Sequence, residues 1–198
     1  MRLNGCGRGA TIASFALLGA ILLTLAGCAP QTAVPPTRKS PLPITPVTAG
    51  PSLDADDQAS VDSAWAAYLK MNSVYVKAAQ SGKYDFDPDP TKRALFAYAG
   101  GHLVAQLERD LGLLIEQGYA RTGEPQSTLR RVISVSPTSI VVEVCVDDSG
   151  TDTINKKTGK SVAVAGQNQR YPVTMRAGLY ADGKWRWVES NADRGASC

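Results

Sequence analysis

The sequence predicts an α+β domain, with helices first and an antiparallel sheet after them, carried behind an apolar N-terminus and a proline-rich stretch. Three observations predict it. Between Asp54 and Gln117 apolar side chains recur at three- and four-residue steps, the period of a buried helix face. From Gly123 onward the period falls to two and β-branched residues crowd the runs. Residues 29–51 fit neither pattern, because seven of those 23 positions are proline. The 198 residues are 43% hydrophobic and 20% charged, with a formal net charge of +3, a composition that supplies a real core. So even a charge balance lacks the clustered basic surface that nucleic-acid phosphates require, and no nucleic-acid partner is expected.

Residues 1–27 have the three parts of a secretory signal. Arg2 and Arg8 give a positive start, and an apolar run extends from Ala10 through Leu25. The run is short for a membrane span of about 20 residues, although an uncleaved anchor helix is the alternative. There is no Arg-Arg pair before it, so a twin-arginine route is not expected. The run ends in Leu25-Ala26-Gly27-Cys28, followed by Ala29-Pro30, and these residues resemble the lipobox of bacterial lipoproteins. The resemblance implies a diacylglycerol on the Cys28 sulfur, palmitate among its acyl chains, cleavage before that cysteine, and export across a membrane. Two acyl chains would anchor stably where one holds only marginally. Cleavage would leave 171 of the 198 residues and, with Arg2 and Arg8 gone, a net charge of +1.

Of the four cysteines, Cys6 would leave with the signal and Cys28 would carry lipid. Cys145 and Cys198 remain, in a compartment where free thiols seldom persist, and are expected to pair. Two isolated thiols are the alternative. A metal site is poorer still, with one histidine in the chain. Residues 28–53 then read as a lipidated tether. Its prolines favour extended polyproline II at about 3.1 Å per residue, a reach of about 70 Å. A proline-rich signalling ligand is the alternative.

The domain spans residues 54–198. Asp54, Asp56 and Asp57 open a helix, where carboxylates oppose the positive end of the helix dipole. Val61, Ala64, Trp65, Tyr68, Met71, Tyr75 and Ala78 mark its buried face, and Ser81-Gly82 ends it. Asp89 can cap a second, short helix that begins at Pro90 and carries Ala94, Leu95, Ala97 and Tyr98. A third helix, from His102 to Gln117, has Leu103, Leu107, Leu111 and Leu114 on one stripe. Beyond it, residues 129–135 and 139–146 read as a hairpin across Ser136-Pro137-Thr138. In the second of these strands Ile140, Val142, Val144 and Val146 point one way, and Val141, Glu143 and Cys145 the other. Residues 151–155 and 160–165 flank a turn at Lys156-Lys157-Thr158-Gly159, and residues 171–180 and 184–189 form a last hairpin.

Three helices followed by long antiparallel strands resemble the cone-shaped fold of nuclear transport factor two, ketosteroid isomerase and the SnoaL-type cyclases. More specifically, the chain resembles small actinobacterial lipoproteins of that fold. The resemblance rests on Gly118-Tyr119…Gly123-Glu124-Pro125, Val144-Cys145-Val146-Asp147-Asp148-Ser149, Thr158-Gly159-Lys160, Gly183-Lys184-Trp185 and Cys198. It implies three helices packed on one face of a curved sheet. It carries no catalytic set over, since members of this group share none.

A ketosteroid-isomerase-like enzyme needs a carboxylate base and hydrogen-bond donors for an enolate oxygen. Glu143, Asp147 or Asp148 with Tyr98 or Tyr119 could supply them, or these residues are strand-surface, turn and rim positions. His102 follows two glycines at a helix start, a surface or cap position. Asp85, Asp87 and Asp89 have the alternate spacing that opens a calcium loop. Its sixth position is Pro90 rather than glycine and its twelfth is Phe96 rather than glutamate, so turns are expected there. Asp147, Asp148 and Asp152 likewise lack a closing glutamate. Trp185 and Trp187 share one side of their strand, as core or as a ligand platform.

The expectation is a lipid-anchored, extracytoplasmic, non-enzymatic module on the cell membrane, binding an envelope protein or a small apolar ligand, with no catalytic residues, cofactor or metal. The alternatives are a SnoaL-like isomerase or cyclase and a phage-encoded superinfection-exclusion lipoprotein. A binder should have a mainly apolar cavity mouth. An enzyme should have a buried carboxylate within reach of Tyr98 or Tyr119.

Overall fold

The computed structural model describes residues 52–198; the apolar N-terminus, the Leu25-Ala26-Gly27-Cys28 motif and the proline-rich stretch lie outside the described residues. Helix α1 (Ala55–Ser81) begins where the Asp54 side chain accepts a hydrogen bond from the Asp57 amide at 2.8 Å, with Asp56 and Asp57 in its first turn. It ends at Gly82, whose left-handed φ of 60° lets its amide reach the Ala78 carbonyl. Val61, Ala64, Tyr68, Met71 and Ala78 are buried along it, the face expected from their spacing. Helix α2 (Gly101–Glu116) buries Leu103, Val104 and Leu111. Among the described residues no helix is long and apolar enough to cross a membrane.

The expected middle helix does not form, so among the described residues α1 and α2 are the two α-helices where three were anticipated. In its place stand two 3₁₀ turns, Pro90–Lys92 and Ala94–Ala97, separated by Arg93 in extended conformation. Asp89 does cap the first, accepting from the Thr91 amide at 3.0 Å. Two causes act against a helix. So short a segment barely offsets the entropic cost of nucleation. Its far end is also claimed by the sheet, because Ala99 forms a parallel bridge with Trp187, and the Trp187 amide donates to the Tyr98 carbonyl at 3.0 Å.

Six strands follow: β1 (Tyr119–Thr122), β2 (Gln126–Ser136), β3 (Ser139–Asp147), β4 (Asp152–Asn155), β5 (Arg170–Leu179) and β6 (Trp185–Ala192). Strands β2-β3-β5-β6 make one antiparallel sheet, and β1-β4 a second. The register slips twice along β2, leaving Arg130 and Ile133 as extra residues, and once along β6 at Val188. Such bulges bend the strand that carries them and give the sheet its curve. Strand β1 was not anticipated. Residues 160–165 were expected as a strand and are not one: Ser161 makes a single bridge to Ile154, and Val164 is 69% exposed with nothing to cover it. Strand β1 pairs along the opposite edge of β4, and its Ala120 is buried.

The core lies between the helices and the inner face of the larger sheet, where Ile140, Val142, Val144, Val173, Met175 and Ala177 meet them. Trp185 and Trp187 are core residues, 7% and 1% exposed. The Trp187 indole N–H donates to the Ala64 carbonyl at 2.9 Å, and its ring meets Tyr68 edge-on at 5.7 Å. On the outer face, the bulge at Arg130 sets Arg130 and Arg131 both against Glu143, at 3.1 and 2.9 Å. Cys145 also points outward and is bonded to Cys198, with their Cα atoms 5.8 Å apart.

Candidate functional site

Alternation along β3 decides what reaches the cavity. Val146 points inward and Asp147 outward, so the next residue, Asp148, turns back toward the helices. Asp147 is used locally, accepting from the Ser149 amide at 2.9 Å. The turn after β3 is fixed by the Thr151 amide on the Asp148 carbonyl at 2.9 Å, and the Asp148 amide donates to Gln169 at 2.7 Å. Asp148 thereby stands at the mouth of a cavity of about 300 Å³ between α1, α2 and the sheet.

The floor is apolar, with Met71, Leu103, Leu107, Val173 and Met175 from both helices and β5. The mouth is polar. Tyr171, at the start of β5, donates its hydroxyl to Asp148 Oδ2 at 2.8 Å. Arg194, in the turn after β6, donates through Nη2 to the same hydroxyl at 2.7 Å, and its Nη2 is 3.5 Å from Asp148 Oδ2. Its guanidinium also lies over the Tyr171 ring, 3.9 Å from the centroid. Burial first, and then the bond to the Asp148 carboxylate, push the Tyr171 hydroxyl above the ordinary tyrosine range. Deeper in, the Tyr68 and Ser127 hydroxyls share a hydrogen bond of 2.8 Å, and burial raises Tyr68 as well. Arg121 of β1 lines the same mouth, 5.7 Å from the Tyr75 ring centroid.

The C-terminal segment holds Arg194 in place. The Asp193 amide donates to the Pro172 carbonyl at 3.0 Å. The Asn168 amide group donates to the Arg194 and Ala196 carbonyls at 3.2 and 2.6 Å, and Arg194 Nη1 returns a bond to the Asn168 carbonyl at 3.1 Å. Cys198 closes the segment on β3. The chain thus wraps the end of the sheet, with Arg194 on the inner side and Cys198 on the outer.

Other sites weighed from the sequence are dispersed. Glu143 faces away from the cavity, held by its two arginines. Tyr98 lies beside Trp185 and Lys184 in a separate surface hollow, and Tyr119 pairs in β1 with Asn155. His102 is exposed in the first turn of α2. Asp87 accepts from the Asp89 amide at 2.8 Å, and Asp152 from the Ser161 hydroxyl at 2.8 Å. Among the described residues no group of three or more His, Cys, Asp or Glu side chains is placed to hold a metal ion. Of the residues at the cavity mouth, Asp148 was considered from the sequence alone, whereas Tyr171, Arg121 and Arg194 were missed. The inward alternation from Val146 could have pointed to Asp148 and Tyr171. No periodicity marks the two arginines.

No family model and no curated protein matches the sequence. Several solved structures are similar in outline. The intermembrane-space region of the chloroplast protein ARC6 aligns over 72% of this chain and 98% of its own, at 13% identity and a TM-score of 0.47. A ketosteroid isomerase-like protein from Erwinia carotovora aligns over 66% and 92%, at 14% identity and 0.43. A domain of unknown function with a cystatin-like fold from Nostoc punctiforme aligns over 73% and 81%, at 9% identity and 0.39.

Proposed function

We propose that this chain is an actinobacterial-type lipoprotein, anchored through Cys28 on the extracytoplasmic face of the membrane, whose cone domain of the nuclear-transport-factor-two type binds a small ligand without transforming it. The observation that carries the binding reading is the cavity of about 300 Å³ with an apolar floor and a polar rim, at the small end of the ligand-site range of about 300–1,000 Å³. The rim is more polar than a wholly apolar ligand calls for, which favours a ligand with a polar end. The anchor rests on the Leu25-Ala26-Gly27-Cys28 sequence and the apolar run before it.

One observation favours the second reading, a SnoaL-like isomerase or cyclase: a carboxylate, Asp148, does face a tyrosine inside the cavity. The geometry argues against it. Proton abstraction beside a carbonyl needs the base and the oxyanion donors on opposite sides of the reacting carbon. Here the candidate base and donor are bonded to each other at 2.8 Å, with no space between them for a substrate. The Tyr171 hydroxyl has one proton, and its hydrogen bond goes to Asp148, so it has none to offer an oxyanion.

Both parts are testable on the full-length protein. Cys28→Ala should abolish incorporation of a labelled palmitate analogue and leave precursor or released protein. Lipid labelling that persists in that variant overturns the anchor. For the domain, native mass spectrometry of membrane-extracted protein should show a small molecule retained unchanged. Consumption of an enolisable ketone that Asp148→Asn abolishes would overturn the binding reading.

A further inference from the structure

The mouth of the cavity carries one carboxylate and two guanidinium groups. Arg194 is committed: it lies within 3.5 Å of Asp148, bonds Tyr171 and the Asn168 carbonyl, and stacks on the Tyr171 ring. Arg121 has no such partner. Among the described residues its side chain makes neither a salt bridge nor a hydrogen bond, and its contact is with the face of Tyr75. It lines the cavity together with Tyr75 and Tyr171. A guanidinium has five N–H donors in a fixed fork suited to a carboxylate. The same cavity is lined by the apolar side chains of Leu107, Val173 and Met175, and it holds no carboxylate besides Asp148.

We infer that the cavity takes a short amphiphile with one carboxylate head, the head on Arg121 and the apolar body on the floor between α2 and β5. This rests on the cavity being a binding site, as proposed above. The paired Asp148–Arg194 unit leaves a single positive charge for the ligand to meet, which excludes an ammonium head. The restricted volume excludes long acyl chains.

The test uses the full-length protein in lipid nanodiscs, with empty nanodiscs subtracted, and three soluble probes. These are 4-phenylbutyrate, the neutral 4-phenylbutan-1-ol of the same body, and acetate as head alone. Calorimetric titration should show phenylbutyrate binding at least ten-fold tighter than either of the others. Arg121→Gln should remove that preference, bringing phenylbutyrate to the affinity of phenylbutanol, and Arg121→Lys should retain most of it. The lysine variant guards against a folding defect at this position. Equal affinity for phenylbutyrate and phenylbutanol overturns the carboxylate assignment and leaves the binding site standing. So does a preference that survives in Arg121→Gln. Binding of none of the three by the wild type overturns the assignment and the binding reading together.

Discussion

Tyr84 sets its hydroxyl between a carboxylate and a backbone amide, donating to Glu108 Oε1 at 3.0 Å and receiving the Leu95 amide at 3.4 Å. Arg93 closes the group with a 2.8 Å salt bridge to Glu108. These bonds pin the 3₁₀ segment to α2. Burial first, opposed in part by the Leu95 amide and reinforced by Glu108, pushes the Tyr84 hydroxyl up to about 12 from an ordinary value of 10. A raised value means the folded state prefers the protonated phenol. Its contribution is whole below about pH 10 and is lost as the pH climbs through about 12. Urea midpoints measured from pH 9 to 12 should therefore fall more steeply in the wild type than in Tyr84→Phe. Parallel curves would show that this hydroxyl carries no linked stability. Little in the sequence warns of this group, because a tyrosine in an Asp-Pro-rich turn looks like any turn residue until its partner on another helix is known. The two arginines of the cavity mouth were hidden in the same way. Charged residues follow no burial period, and only the fold reveals what they face.

At the level of elements, the helices and most strands were legible because each buries one continuous face. The 3.6-residue stripe of α1 and the alternation of β3 both turned inward as their spacing requires. What failed was anything decided by a neighbour. The segment around Leu95 has helical apolar spacing, yet it ends as a bridge to β6, and residues 160–165 alternate like a strand but keep a single bridge to β4, at Ser161, and lie exposed with no element to cover them. The bulge at Arg130 left no mark in the alternation either, since two adjacent arginines read as ordinary surface. The β1–β2 turn is sharper in its demands. Gly123 has φ 72°, and a Cβ there would sit 1.9 Å from the Gly150 carbonyl oxygen, a backbone atom that cannot swing aside. Gly159 has φ 67° with open space around it. Alanine at Gly159 should cost only the left-handed penalty of about 1–2 kcal/mol. Alanine at Gly123 should cost clearly more, read as a larger drop in urea midpoint. Equal losses would mean that the Gly150 loop yields freely.

For the molecule as a whole, the Cys145–Cys198 bond closes a loop with a sequence separation of 53. In the chain-entropy model that constraint on the unfolded state stabilises the fold by about 4 kcal/mol. The Cys145→Ser/Cys198→Ser double variant should lose about that much in denaturant titration. A reductant should lower the wild type to the same level and leave the variant untouched. A wild type insensitive to reductant would refute the link. This pairing was reached from the sequence through chemistry rather than pattern, by asking which thiols an exported chain leaves unmodified. The hydrogen bond from Trp187 to Ala64, separated by 123 positions, bears on a different matter, the order in which the chain is made. Strand β6 follows the other five in the chain, yet α1 rests on it. Until β6 has been made, the apolar stripes of α1 and α2 lack part of their cover. A chain interrupted before residue 185 would lack Trp185 and Trp187, the two tryptophans of that core. The arrival of β6 is therefore the event that commits the domain to its fold, and fragments cut short of it would be the natural prey of proteases.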